Sequence, residues 1–272
     1  MTLRTPAVAA SVPPGYSALD VFDETDMPAS VRALLPEAFS VVAPPQGETS
    51  EVAFIRAPGR PDIVVKHTRS PLYSQWLQRE AAVLAALADS GLPIPQVLGH
   101  CEDGDSDWLL MSRIPGDNGW VTLVAASPDA RRQMLQALGE VLARIHSMPV
   151  PAVLSDADST PWLDRHRVCA EELSLEDELL SSFGPPPPEL RTLIHGDFTV
   201  DNVLFEQGQL CGVIDWSGCG AGDPRFDIAL ALATSPELVL DARDLAAFFA
   251  GYVDEDLPGP LRTMVQDLYG VG

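Results

Sequence analysis

Apolar residues follow two different periods along the chain and divide it into a β-rich first part and a helical second part. Over residues 38–67, short β-branched and aromatic runs alternate with Gly- and Pro-rich turns, which predicts an antiparallel meander. Residues 70–91 begin with Ser-Pro, place apolar side chains at helical spacing and end at glycine, so a helix is predicted there. Short strands are predicted near 96–100 and 107–114.

The pattern becomes helical after that point. Residues 128–147 and about 161–181 predict amphipathic helices, and a last helix is predicted near 241–253. Pro185–Pro188 is a tetraproline segment that no helix can cross. Three later segments contain shorter elements. A loop followed by a strand is predicted for LIHGDFTVDNVLF, a strand for QLCGVIDW, and a loop followed by a helix for GDPRFDIALALA.

The 272 residues correspond to about 1.8 average domains. We predict an α+β fold with a flexible N-terminus over 1–15. A small β-rich N-lobe follows over 16–114, and a larger helical C-lobe over 115–272.

Charge and composition narrow the class of protein. Seventeen Lys and Arg against 39 Asp and Glu give a net charge of −22, without any basic run, which argues against nucleic-acid binding. The excess of carboxylates either attracts a cationic ligand or only keeps the protein soluble. No apolar stretch is long enough to span a bilayer and no signal peptide is evident, so a cytoplasmic protein without a membrane partner is expected. The four cysteines lack the spacing of a zinc or disulfide framework.

Lysine occurs once, at Lys66, among 17 cationic residues. An ammonium is a compact point charge, whereas the guanidinium is a planar fork, so a site among phosphate oxygens does not readily accept arginine. Lys66 is therefore a candidate phosphate ligand. The alternative is that a single lysine has survived in the sequence by chance.

The densest polar cluster is His195–Gly196–Asp197, followed by Asn202 and, 13 residues later, by Asp215 at the end of an apolar strand. That strand can pair beside VLF and bring Asp215 to the same loop. An amide oxygen and a carboxylate suit Mg²⁺, which is bound by few protein groups together with phosphates and water. Asp197 is then available to orient a hydroxyl and accept its proton.

HGDFTVDN, VIDW and GDPRFD together resemble the aminoglycoside phosphotransferase family, the small-molecule branch of the protein-kinase-like fold, over roughly 38–255. HRD, DFG and APE motifs are absent, so a eukaryotic protein kinase is disfavoured. The resemblance implies a bilobal kinase fold, ATP or GTP as phosphate donor, and Mg²⁺. It also implies phosphate transfer to a hydroxyl of a small molecule.

The resemblance implies a role for each matching residue. Asp197 matches the catalytic base, and Asn202 and Asp215 match the Mg²⁺ ligands. Lys66 matches the lysine on the α- and β-phosphates, and Glu80 matches its ion-pair partner, although Glu80 taken alone could be a solvated helix residue.

Further positions match the nucleotide site. Gly47, Thr49 and Ser50 fall in the turn that matches the phosphate loop, which has one glycine instead of GxGxxG. The segment containing Met111 and Ile114 matches the hinge whose backbone would hold adenine.

Supporting roles are implied for three polar residues. His195 matches a position that is usually structural, while Asp223 and Asp227 match residues that brace the catalytic loop. Asp223 could equally be the N-cap of the next helix. His146 is better explained as a packed or capping histidine, and Asp201 receives no role.

The acceptor site is expected within 155–182, where Asp164, Glu171 and Glu172 are weak candidates to bind a cationic aminoglycoside. An acidic, solvated helix face is the alternative explanation of these carboxylates. A macrolide or a metabolic amino-alcohol or sugar (as in choline, homoserine or fructosamine kinases) is the second acceptor class. The chain stops at Gly272, whereas aminoglycoside kinases often carry further C-terminal helices. A non-catalytic acidic binding protein is the rival class.

Overall fold

The computed structural model describes most of the chain between its terminal segments. The described residues are 25–44, 49–155, 191–233, 235–253, 257 and 259–269. They form two compact units, the first reaching up to Leu77 and including Leu98–Arg113, the second comprising Gln78–Val97 and the residues from Ile114 onward.

Helices and strands are numbered along the chain within the described residues. The helices are α1 (Ala29–Arg32), α2 (Pro71–Ala86), α3 (Gly119–Ala125), α4 (Pro128–Ser147), α5 (Ala152–Ser155), α6 (Pro224–Ala231), α7 (Ala242–Tyr252) and α8 (Gly259–Tyr269). The strands are β1 (Ser40–Val42), β2 (Glu51–Arg56), β3 (Ile63–Thr68), β4 (Val97–Asp103), β5 (Ser106–Ser112), β6 (Asp117–Asn118), β7 (Thr192–Ile194), β8 (Val203–Glu206), β9 (Gln209–Val213) and β10 (Gly220–Gly222). Short 3-10 turns occupy Val200–Asn202 and Trp216–Gly218.

The first unit is built on a five-stranded sheet in the order β1-β2-β3-β5-β4. Strands β1, β2 and β3 pair in sequence as an antiparallel meander, as the alternating pattern predicted. Its core is a cluster of buried apolar side chains from α1, the residues just before α1 and the sheet, namely Met27, Val31, Ala53, Ile55, Val65, Trp108 and Leu110.

Helix α2 begins where the Ser-Pro pair predicted it. The Tyr73 backbone N–H donates to Ser70 Oγ at 3.5 Å, so the serine caps the first turn. The helix ends at Ala86, several residues before the predicted stop at Gly91, which lies at a φ of +72°. The apolar positions that predicted the helix, such as Leu77 and Leu84, are buried.

The second unit is organised around the crossing of α4 and α7. A Cβ on Gly139 would meet the carbonyl oxygen of Phe248, and one on Gly251 would meet the carbonyl oxygen of Gln136. The absence of a side chain at both positions therefore lets the two backbones approach closely. Strands β6, β8 and β9 form a three-stranded sheet, and β7 pairs with β10.

Besides the earlier end of α2, the structure corrects two predictions about the elements. Strand β5 ends at Ser112 instead of 114, and α8 follows the helix predicted to be the last one. The helix expected near 161–181 and the tetraproline segment lie outside the described residues. No helix among those described is long and apolar enough to cross a membrane.

Candidate functional site

The catalytic-loop candidates follow β7 and pack against the Trp216–Gly218 turn. Gly196 lies at a φ of +80°, where an L side chain is strained, and a Cβ there would meet the backbone of Gly218. Only glycine allows this close approach, which brings the loop carrying Asp197 against the turn that follows Asp215.

His195 is fully buried and both of its ring nitrogens are used. Nε2 donates to the carbonyl oxygen of Ile214 at 3.1 Å, while Nδ1 accepts the backbone N–H of Asp197 at 3.3 Å. A carbonyl cannot donate, so this arrangement requires the neutral ring with its proton on Nε2. Burial lowers the pKa of His195, which favours that neutral form. His195 thus ties the Asp197 loop to the segment before Asp215.

The carboxylate of Asp227 accepts hydrogen bonds from the backbone of the loop that carries Asp197. Its Oδ2 accepts the His195 N–H at 2.7 Å and its Oδ1 accepts the Gly196 N–H at 2.9 Å. The His146 Nε2–H donates to Asp227 Oδ2 at 3.1 Å, and His146 Nδ1 lies 2.6 Å from the Tyr252 hydroxyl. These buried contacts connect α4, α6 and α7 to the loop that carries Asp197 and agree with a structural role for His146.

Asp197 and Asn202 are in direct contact. The Asn202 Nδ2 donates to Asp197 Oδ2 at 2.7 Å and to the Asp197 carbonyl oxygen at 2.9 Å. The amide hydrogens therefore point at Asp197, which leaves the amide oxygen as the atom that could bind a cation.

Asp215 is brought beside this loop by strand pairing, as predicted. Strand β9 pairs with β8, and the Ile214 N–H donates to the Asn202 carbonyl oxygen at 2.9 Å. Asp215 has a left-handed backbone with φ 64° and ψ 66°, and its Oδ1 accepts the Ser217 hydroxyl at 3.2 Å. The two predicted metal ligands thus belong to backbone segments that are hydrogen-bonded to each other.

Glu80 is buried in the second unit rather than solvated. Its Oε1 accepts the backbone N–H of Trp216 at 3.3 Å. The neighbouring Arg79 donates from Nε to the Cys219 carbonyl oxygen at 2.8 Å. Two consecutive residues of α2 therefore hold the turn that follows Asp215.

The predicted nucleotide-site residues of the first unit lie on the strands of its sheet or directly before them. Lys66 is half-buried on β3, opposite Val52 on β2 and Leu109 on β5. Thr49 and Ser50 are half-buried directly before β2, whereas Gly47 lies outside the described residues. The Lys66–Glu80 ion pair stays a prediction.

The remaining candidates have simpler surroundings. Met111 is buried within β5, opposite Val64, and Ile114 follows that strand in the second unit. Asp223 caps α6 by accepting the Arg225 N–H at 2.9 Å, and it also contacts the guanidinium of that arginine. The acceptor candidates Asp164, Glu171 and Glu172 lie outside the described residues.

Comparison with known proteins matches nearly the same part of the chain as the resemblance of the motifs, which covered roughly 38–255. Residues 40–264 match the family described as the phosphotransferase enzyme family. The chain belongs to this family. The match confirms the family and the enzyme class, phosphotransferase, that the motifs predicted.

Individual relatives of this phosphotransferase are similar over about two thirds of the chain. This chain is 30% identical over 207 residues to acyl-CoA dehydrogenase family member 10 of Mus musculus, and the match covers 67% of this chain but only 19% of that protein. It is 27% identical over 192 residues to an aminoglycoside 3'-phosphotransferase of Escherichia coli, covering 64% of this chain and 68% of that protein.

A solved structure confirms the α+β, protein-kinase-like fold. The crystal structure of aminoglycoside-3'-phosphotransferase of type VIII superimposes with a TM-score of 0.64 at 24% identity, covering 83% of this chain and 93% of that one.

The donor set of the phosphotransferase fits Mg²⁺. No cluster of three or more His, Cys, Asp or Glu side chains in the described ranges could enclose a metal ion. The amide oxygen of Asn202 and the carboxylate of Asp215 are the two hard oxygen donors that the sequence predicted as ligands, and two donors do not form such a cage. This suits a cation that keeps water and binds substrate phosphates.

One polar contact at the site escaped the sequence analysis. Asn118 Nδ2 donates to the carbonyl oxygen and to Oδ1 of Asp201, each at 3.0 Å. The two residues are 83 positions apart. In the sequence, an asparagine directly before a helix predicts a helix N-cap. It does not predict a contact with a residue far along the chain.

Proposed function

We propose that this phosphotransferase is an ATP- and Mg²⁺-dependent enzyme that transfers the γ-phosphate to a hydroxyl of an aminoglycoside. The contact that supports this most directly is the one between Asn202 Nδ2 and Asp197 Oδ2 at 2.7 Å. It joins the proposed metal ligand to the proposed base, while the backbone bond from Ile214 to Asn202 holds the segment of Asp215 alongside.

Asp197 acts as the general base in this proposal. The Asn202 amide orients its carboxylate, and the carboxylate accepts the proton of the acceptor hydroxyl. The hydroxyl oxygen then forms a bond to the γ-phosphorus, the bond between that phosphorus and the β,γ-bridging oxygen breaks, and ADP leaves with the electron pair.

Asn202 and Asp215 would hold the metal. A cation held there would supply positive charge to offset the charge on the nucleotide phosphates. Lys66 would place one ammonium on the α- and β-phosphates, where a point charge is needed. Glu80 would pair with Lys66, and Thr49 and Ser50 would contact the phosphates through their hydroxyls and backbone.

Two observations favour an aminoglycoside as acceptor. The net charge of −22 attracts polycations, and the Escherichia coli relative is named an aminoglycoside 3'-phosphotransferase. Asp164, Glu171 and Glu172 stay the predicted acceptor contacts.

A substrate panel tests the function. Aminoglycosides, macrolides and amino-alcohols are each incubated with Mg²⁺ and ATP or GTP, and ADP or GDP release and phosphate incorporation are measured. Incorporation into an aminoglycoside is expected. Incorporation only into another class would change the acceptor, and the absence of both turnover and nucleotide binding would favour the non-catalytic binding protein.

Replacing the proposed base tests the mechanism. Asp197→Asn keeps the side-chain size but removes the proton acceptor, so kcat is expected to fall at least ~10²-fold while ADP affinity is retained. Asp105→Asn, the same change at an exposed residue, is the control. Wild-type kcat in Asp197→Asn would remove Asp197 from the role of base.

A further inference from the structure

The side chain of Asn118 makes contacts in two directions. Its Oδ1 accepts the backbone N–H groups of Trp120 at 2.8 Å and Val121 at 3.4 Å, which caps α3. Its Nδ2 donates to the carbonyl oxygen and to the Oδ1 of Asp201, both at 3.0 Å. One amide therefore links the start of α3 to the catalytic loop.

The contact falls on the peptide group that leads into Asn202. The carbonyl oxygen of Asp201 and the N–H of Asn202 belong to the same planar unit. Asn118 holds the oxygen of this unit, and Thr199 accepts its N–H at 3.1 Å. A peptide fixed at both ends cannot rotate without breaking a hydrogen bond, so the direction of the Asn202 side chain depends on both contacts.

Backbone packing holds α3 against the same turn. A Cβ on Gly119 would meet the carbonyl oxygens of Val200 and Val203, so the helix begins in van der Waals contact with the loop. Asn118 also lies opposite Leu204 in the pairing of β6 with β8. The position of Asn118 is therefore set by the sheet and the helix independently of Asp201.

We propose that Asn118 is a positioning residue that aims the Asn202 amide at the divalent cation by holding the Asp201–Asn202 peptide. The proposal rests on the proposed function, because it takes Asn202 as a metal ligand. It assigns a task to Asp201 as well, whose carboxylate is the second acceptor of the same Asn118 amide.

Capping and positioning are separable because they use different atoms of Asn118. Asn118→Asp retains an oxygen for the α3 cap but loses both donors and places a carboxylate against Asp201. Asn118→Ser also caps well but is too short to reach Asp201 and adds no charge. Asp201→Asn keeps an oxygen that accepts from Asn118.

The experiment measures Mn²⁺ and ADP binding by electron paramagnetic resonance and calorimetry, with metal-free ADP affinity and thermal midpoint recorded in parallel. Asn118→Asp and Asn118→Ser are expected to weaken Mn²⁺ binding to the ADP complex about 10- to 100-fold, a typical loss for residues that orient a metal ligand. Metal-free ADP affinity should not change.

The double variant Asn118→Asp with Asp201→Asn reverses the polarity of the side-chain contact. An amide at 201 can donate to a carboxylate at 118, which removes the repulsion between two carboxylates, but no donor to the carbonyl oxygen of residue 201 is restored. The double variant should therefore recover Mn²⁺ binding only to the level of Asn118→Ser, whereas Asp201→Asn alone should stay near wild type. A purely structural cap at Asn118 predicts no loss in Asn118→Asp or Asn118→Ser, because both retain an oxygen that can cap α3.

Wild-type Mn²⁺ affinity in both folded Asn118 variants would overturn the proposal, as would full recovery in the double variant, in which the bond to the carbonyl oxygen of residue 201 is still absent. Asn202→Ala separates this result from the proposed function. If Asn202→Ala leaves Mn²⁺ affinity unchanged, the metal assignment itself fails. If Asn202→Ala weakens binding and the Asn118 variants do not, only the positioning role fails.

Discussion

At the scale of single residues, Lys66 has no equivalent elsewhere in the sequence, because all other cationic side chains are arginines. Its position on β3, between Val52 and Leu109, fixes where the side chain begins. In the proposed phosphate contact, the head group is therefore the part of the side chain that an exchange for arginine tests.

Lys66→Arg is expected to lower kcat/KM for ATP about 10²-fold, because a planar fork displaces phosphates that a point charge would hold. Steady-state kinetics at varied ATP measures the change. Arg69→Lys, the reverse exchange at a side chain that is 55% exposed, serves as the control. Unchanged kcat/KM in Lys66→Arg would contradict a phosphate contact.

His67, next to Lys66, makes the first unit sensitive to acid. Burial lowers its pKa from the ordinary 6.5, and the nearby Glu51, whose Oε2 lies 3.2 Å from Nδ1, opposes this only in part. Because the folded pKa is below the unfolded one, the unfolded chain binds more protons on acidification. The contribution of neutral His67 is complete above about pH 6.5 and is lost as the pH falls below it.

His67→Phe retains an aromatic ring against Trp108, which stacks on His67 at 3.8 Å between ring centroids, but cannot titrate. Thermal midpoints measured between about pH 7.5 and 5 should fall less steeply in this variant than in the wild type. Equal slopes would show that His67 does not titrate in this window.

Local spacing made some site residues predictable. Asp197 and Asn202 lie on one loop, and Asp215 ends a strand that must pair nearby, so their association followed from the sequence alone. The partners of Asn118 and His146 did not, because Asp201 and Asp227 lie 83 and 81 positions away and a single sequence carries no signal for such pairs.

At the scale of elements, the crossing of α4 and α7 depends on two glycines. Gly139→Ala should lower the free energy of unfolding by about 1–3 kcal/mol, because the added methyl group meets rigid backbone of α7. Urea denaturation gives the value. Gly259→Ala, where a Cβ meets nothing within 4 Å, is the matched control and should be nearly neutral. A neutral Gly139→Ala would mean that the helices can separate without cost.

Element predictions succeeded where one period was uninterrupted. The meander and α2 follow from alternating and helical spacing, and both are present. Helix α8 was missed although Leu261, Met264 and Val265 are buried at helical spacing, because a Gly-Pro start and a short apolar set resemble a loop. Strand β5 pairs with β3 only as far as Ser112. The apolar run near 107–114 does not show where this pairing ends.

At the scale of the whole molecule, a net charge of −22 produces self-repulsion that salt can screen. Thermal midpoints at pH 7 should therefore rise when NaCl increases from about 10 to 150 mM, because the Debye length shortens from roughly 30 to 8 Å. The salt effect should shrink toward the isoelectric point of about 4.3. A midpoint independent of NaCl at pH 7 would indicate that the carboxylates are already locally balanced.

The left-handed backbone of Asp215 limits which replacements can be interpreted. Asparagine shares with aspartate a tolerance for this conformation, whereas alanine there costs about 1–2 kcal/mol before any chemistry is lost. Asp215→Asn thus removes the charge alone, while Asp215→Ala combines a charge loss with a distorted turn. Few residue types can occupy position 215, so tolerance to substitution there is narrow for conformational reasons as well as chemical ones.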